Sequence, residues 1–161
     1  MNQEELKKLF SYSEETGLFT RLVRVSRRGK VGENAGHLIS TGYVKIGIGK
    51  KYYLAHRLAW LYVYGHFPKN NIDHINGIKT DNRISNLREA TFEENSRNVG
   101  ITSRNNSGFK GVYFIKKRNK WATRCSVNKK EIYLGSFDTA EEASKAYQQF
   151  ALKHHGQFAR F

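Results

Sequence analysis

The stretch Asn71-Ile72-Asp73-His74-Ile75-Asn76-Gly77-Ile78-Lys79-Thr80-Asp81-Asn82-Arg83-Ile84-Ser85-Asn86-Leu87-Arg88-Glu89-Ala90-Thr91-Phe92-Glu93-Glu94-Asn95 decides how this chain is read. It sets a carboxylate beside an imidazole, Asp73 and His74, at the end of a short strand. A turn-rich loop follows, carrying Asn76-Gly77, and then a second strand near residues 87–91. Thr91 stands as an N-cap with Glu94 at the third helical position, a capping box that places Asn95 one turn inside a helix running to about Asn98. Asp73 and Asn95 offer the hard oxygen ligands that Mg²⁺ prefers, and His74 offers a base that titrates near neutrality. Cutting a phosphodiester needs such a base for the attacking water and a divalent cation for the charge that builds on phosphate. The competing reading is an ordinary hairpin whose Asp and Asn serve only as turn formers. Asn98 lies three residues beyond Asn95 on a similar helical face and is the alternative ligand. The central Asn82 is expected to tie the loop through side-chain-to-backbone hydrogen bonds.

The 161 residues fit one domain or two small ones. Twenty-eight Lys and Arg oppose 14 Asp and Glu, a formal charge of +14, and the isoelectric point is near 10.0. That excess is costly in self-repulsion unless the partner is a polyanion. An anionic membrane is the competing partner, but there is no 18-residue apolar run, no long basic amphipathic helix and no lipidation signal. Nucleic acid is therefore the expected partner, with no membrane and no obligate protein partner evident. Met1 to Leu6 lacks the basic and apolar regions of a secretory signal. The single cysteine, Cys125, excludes an internal disulfide and any Cys₄ or Cys₂His₂ zinc site, so no structural zinc is expected. A reducing, cytoplasmic setting fits.

Outward from the central stretch, the expected class is α+β. Glu4 to Phe10 has helical spacing, Glu15-Thr16-Gly17 makes a turn, and Leu18 to Leu22 alternates as a strand. Arg24 to Gly36 is a loop dense in cations, and Arg27 and Arg28 are either solvated or in contact with a DNA backbone. Residues 41–48 and 51–54 form a hairpin around Gly49-Lys50. Ala55 to Tyr64 has helical spacing and is stopped by Gly65 and Pro68. His56 opens that helix as a structural histidine, or less simply as a catalytic one. Residues 99–108 lose all periodicity and are placed as a linker. Beyond them come three short strands, 110–115, 120–127 and 130–134. A helix from about Thr139 to His155 follows, with Thr139 and Glu142 as a second capping box. Its stripe of Ala143, Ala146, Tyr147, Phe150 and Ala151 would lie on the three-stranded sheet. Alternation turns Trp121, Thr123, Cys125 and Val127 toward the helix and Lys120, Arg124 and Ser126 away from it. Cys125 then reads as a small core residue.

Asp-His, the central Asn and the helical Asn, with Asn86-Leu87-Arg88 and Ala90-Thr91 between them, resemble the HNH or ββα-metal nuclease motif, in the variant ending in Asn. His56-Arg57-Leu58 also resembles that family. The resemblance implies a nuclease domain over 1–98 with its ββα-metal core at about 70–98. It implies His74, Asp73, Asn95 and Asn82 as site residues, with Asp73 and Asn95 on Mg²⁺ or Mn²⁺. Ser107-Gly108-Phe109-Lys110-Gly111-Val112, Lys120-Trp121-Ala122 and Tyr133-Leu134-Gly135-Ser136-Phe137-Asp138-Thr139-Ala140-Glu141-Glu142-Ala143 resemble the AP2 DNA-binding domain. That resemblance implies a reading module over 109–161 that lays its sheet in the major groove, with double-stranded DNA as the partner. Lys110, Tyr113, Ile115, Arg118 and Tyr133 fall at positions that touch DNA in the plant domains. Tyr113, Ile115 and Ser126 replace plant arginines, so the plant target should not carry over.

Two functions remain open under these resemblances. One is a homing-type, metal-dependent endonuclease leaving 5′-phosphate and 3′-hydroxyl ends, nicking as a monomer because one site is present. The other is a sequence-specific DNA-binding protein with an inert nuclease fold. Asp73, His74 and Asn95 are all present, which favours the enzyme.

Overall fold

The computed structural model describes residues 1–24 and 29–161, so Arg27 and Arg28 lie outside the described residues. The chain forms two compact units, Met1–Asn95 and Ser96–Phe161. The division falls ahead of the stretch expected as a linker. Both units mix α and β structure.

The first unit begins with helix α1 (Gln3–Leu9), whose start is fixed by an Asn2–Glu5 capping box. Phe10, expected to end the helix, opens β1 (Phe10–Tyr12) instead, because its buried ring is needed in the hairpin with β2 (Phe19–Arg21). The chain then builds a three-stranded antiparallel sheet from β3 (His37–Leu38), β4 (Val44–Ile48) and β5 (Lys51–Leu54), with β4 in the middle. The two-residue β3 carries too little pattern to be seen in the sequence. Helix α2 (Ala55–Tyr64) follows and ends at Gly65 in the left-handed conformation, as a C-cap should. Leu58, Ala59 and Leu61 of α2 share a core with Leu6, Phe10, Phe19, Ile46, Ile72 and Leu87. That core holds up a two-stranded antiparallel ribbon, β6 (Asn71–His74) and β7 (Leu87–Ala90). Helix α3 (Phe92–Arg97) comes next, and the unit boundary falls within it. Its capping box is present: Glu94 N–H donates to Thr91 Oγ1 at 3.2 Å, and Thr91 N–H donates to the Glu94 carboxylate at 2.8 Å.

In the second unit, β8 (Val112–Ile115), β9 (Lys120–Val127) and β10 (Lys130–Phe137) form an antiparallel sheet with β9 central. β10 is longer than alternation suggested, because a register shift between Tyr133 and Gly135 disguises its second half. Helix α4 (Ala140–His155) starts at the Thr139–Glu142 capping box. It buries Ala143, Tyr147 and Ala151 against Val112 and Cys125. Lys110 and Gly111 precede β8 rather than joining it: Gly111 has φ +73°, and a Cβ there would meet the Tyr147 ring at 2.5 Å. Within 99–108 the chain is anchored, since Asn105 Nδ2 donates to Phe109 O at 2.8 Å and Ser107 Oγ donates to Val112 O at 2.9 Å.

Candidate functional site

The register of the β6–β7 ribbon places Asp73 opposite Arg88 and His74 opposite Leu87. Asp73 and His74 are 3 % and 4 % exposed. Arg88 grips one oxygen of the Asp73 carboxylate through Nε at 2.8 Å and Nη2 at 2.7 Å. His74 Nε2 lies 3.3 Å from Asn82 Oδ1. Asn82 Nδ2 donates to Thr80 O at 3.2 Å, which turns its Oδ1 toward the imidazole. An amide oxygen only accepts, so Nε2 carries the ring proton and the neutral ring's lone pair is on Nδ1. Burial pushes the His74 imidazole below its ordinary value, against the Asn82 hydrogen bond and the Asp73 charge.

The loop that carries Asn82 is held from several sides. Tyr12 Oη donates to Asn82 O at 2.7 Å. The turn at Gly17 approaches so closely that a Cβ there would lie 2.5 Å from the Asn82 carbonyl carbon. Asn86 Nδ2 donates to Asn76 Oδ1 at 3.0 Å and to Asp81 O at 2.8 Å. The His74 ring packs in a triangle with Tyr43 (5.9 Å between centroids) and His56 (5.1 Å, edge to face). His56 is buried, its Nδ1 lacks a hydrogen-bond partner, and burial with the nearby His74 and Arg57 holds its pKa down to about 3. Asn95 is half-buried in α3, and its N–H donates to Thr91 O at 3.0 Å. Among the described residues, no group of three His, Cys, Asp or Glu is arranged to hold a metal.

On the second unit, Arg124 is exposed and lies opposite Tyr133. Its guanidinium sits 5.3 Å from the Tyr113 ring centroid, and its Nη1 donates to Glu131 at 2.8 Å. Lys120 pairs with Asp138. Lys110 is half-buried and donates to Arg97 O at 2.6 Å. Ser126 and Arg118 are exposed, and Ile115 is half-buried.

Residues 53–97 match the HNH endonuclease family and residues 107–157 match the AP2 domain family. Protein 3.8 of Escherichia phage T7 is 35 % identical over 116 residues, which cover 70 % of this chain and 95 % of that protein. The chain belongs to the family of that phage protein. Within this HNH–AP2 chain the AP2 region also resembles plant proteins. APETALA2-like protein 2 of Oryza sativa subsp. indica is 38 % identical over 50 residues, 31 % of this chain and 12 % of that protein. The AP2-like ethylene-responsive transcription factor TOE2 of Arabidopsis thaliana is 38 % identical over the same length, 31 % of this chain and 10 % of that protein. No solved structure matches.

In the HNH region one hydrogen bond brings together His74 and Asn82, and Asp73 precedes His74 in β6. Asn95 follows β7 in α3, whereas Asn98 lies beyond α3 in the second unit and is buried. Sequence reasoning missed Arg88, the partner of Asp73, because nothing in a loop of this length fixes strand register. It also missed Glu131, which contacts Arg124 diagonally across the β9–β10 pair. No helix among the described residues is long and apolar enough to cross a membrane.

Proposed function

We propose that this chain is a metal-dependent, site-preferring DNA endonuclease of the homing type, acting in the bacterial cytoplasm. The first unit hydrolyses a phosphodiester and the second reads duplex DNA. The observation that carries the reading is the His74–Asn82 contact beside Asp73, which commits Nε2 as donor and leaves Nδ1 as the acceptor. His74 takes a proton at Nδ1 from the water that attacks phosphorus, in line with the leaving 3′-oxygen. The products are a 5′-phosphate and a 3′-hydroxyl, and with one site per chain a monomer nicks one strand.

HNH nucleases typically use a divalent metal ion, and the donor set here fits a hard one. Asp73 supplies a carboxylate and Asn95 an amide oxygen, while the lone thiol, Cys125, is buried in the other unit. Mg²⁺ is ordinarily held by one or two carboxylates with water and substrate phosphate completing the shell, so three protein ligands are not required. Mg²⁺ or Mn²⁺ on Asp73 and Asn95 would neutralise charge on the scissile phosphate and the leaving oxygen. Asn82 orients the base, and Tyr43 and His56 hold the plane of its ring. The sheet of the second unit, with Tyr113, Ile115, Arg118, Lys120, Arg124, Ser126 and Tyr133, faces the major groove. Lys110 is assigned instead to holding Arg97 O.

The Asp73–Arg88 pair favours a second reading, a DNA-binding protein whose nuclease fold is inert because its carboxylate is already neutralised. End-sequencing after incubation of supercoiled plasmid and a phage-genome library with Mg²⁺ separates the two. Metal-dependent nicks at recurrent positions support the enzyme, and intact DNA that is nonetheless bound selectively supports the inert reader.

A further inference from the structure

We propose that Arg124 and Glu131 act as one charge-neutral base-reading pair, in which Glu131 withholds Arg124 from phosphate and aims it at a guanine edge. The proposal rests on the DNA-reading role of the second unit argued above, and it assigns Glu131 as a specificity-determining residue.

The two side chains lie on the face of the sheet turned away from α4. Arg124 on β9 pairs with Tyr133 on β10, and Ser126 pairs with Glu131, so Arg124 and Glu131 are diagonal neighbours. Arg124 Nη1 donates to Glu131 Oε2 at 2.8 Å, and the two side chains are 55 % and 61 % exposed. An ion pair so open to water adds little to stability. In a chain of charge +14, a carboxylate on a face meant for a polyanion also weakens the attraction. Its placement makes sense if Arg124 is meant for something other than phosphate.

A phosphate approaching Arg124 meets a pair with no net charge, one member of which repels it. A base edge meets something different. The guanidinium has five donors in a rigid fork, and one nitrogen is committed to Glu131. The fork matches two adjacent acceptors, which the N7 and O6 of guanine present in the major groove. Glu131 only accepts, and in the base pair of that guanine the donor is the N4 amine of the cytosine. The Tyr113 ring, 5.3 Å from the guanidinium carbon, limits where the arginine can swing. Arg124 is thus held before binding, so less of its freedom is lost on contact.

The test uses the full chain in EDTA, so that no strand is cut, with duplexes selected from a random pool by the wild-type protein. Anisotropy titrations at several salt concentrations compare the selected duplex, a scrambled one, and a set with each G·C pair replaced in turn. E131Q should bind the scrambled duplex more tightly, and its salt slope should steepen by about 0.9, one additional phosphate contact. Its preference for the selected duplex should fall roughly tenfold. R124Q should lose roughly tenfold on the selected duplex only, with the slope unchanged. Both variants should become indifferent at the same G·C pair. Both residues are exposed, so neither variant should disturb folding. An E131Q protein with unchanged preference and slope overturns the pair, as does an R124Q protein that loses affinity equally on both duplexes. A wild-type chain that selects no duplex at all rejects the reading role itself, and the pair with it.

Discussion

Removing Arg88 should destabilise the first unit by taking the guanidinium away from the buried Asp73 carboxylate. Its side chain is 13 % exposed and grips the Asp73 carboxylate, whose side chain is 4 % exposed. Arg88→Leu strands the Asp73 charge in the interior of the ribbon. Breaking one side of such a pair costs about 3–5 kcal/mol, because the remaining charge loses its partner and cannot recover its water. With a urea dependence of roughly 2 kcal/mol per molar for a domain of this size, the midpoint of the first unit should fall by about 2 M. Asp73→Leu should cost a comparable amount by stranding the guanidinium. The double variant should recover most of the loss, since replacing both members of a buried pair by apolar groups is often near neutral. Urea titrations of the four proteins, followed by Trp60 fluorescence in the first unit, give the coupling directly. Single losses under about 1 kcal/mol, or losses that simply add, would show that the pair is not the buried, interdependent contact described here. The same numbers bear on function: Asp73→Ala confounds lost chemistry with lost stability, whereas Asp73→Asn keeps the shape and separates them.

Two further perturbations follow from the packing. The folded chain holds His56 at about 3 whereas the unfolded chain protonates near 6.5, so its contribution is fully present above pH 6.5 and is lost as the pH falls toward 3. The loss approaches roughly 1.4 kcal/mol per pH unit, and His56→Phe should flatten that part of the stability profile; profiles of identical steepness would remove His56 as the cause. Gly111→Ala should destabilise the second unit by more than about 1 kcal/mol, since φ is +73° and the new methyl would meet Tyr147 and the Arg124 carbonyl at 2.5 and 2.7 Å. Thermal melts decide it, and an unchanged melting temperature would mean that the ring and backbone give way freely.

Much of this architecture was readable from local pattern. Helices α2 and α4 follow from apolar spacing and stop signals, and the Thr91–Glu94 and Thr139–Glu142 boxes mark helix starts where two residue types suffice. The Asp73–His74 step lies at the end of its strand as the sequence implied. Asn82 makes the expected loop bond to Thr80 O, but its contact with His74 depends on how the loop folds back, which spacing alone does not encode. Partners set by register were invisible for the same reason: Arg88 on Asp73, Glu131 on Arg124. Lys110 stands at a position that touches DNA in the plant domains, but the positive φ at Gly111 leaves it ahead of β8. Arg27 and Arg28 remain assigned on charge alone.

Cleavage of supercoiled plasmid by the wild-type chain and by His74→Ala, in Mg²⁺ and at equal protein concentration, decides whether His74 is the base. Affinity for the same DNA is measured alongside in EDTA. With His74 as the base, the wild-type chain nicks, and the variant loses at least about a hundredfold in rate while its affinity stays within about twofold. Equal nicking by the two proteins would remove His74 as the base.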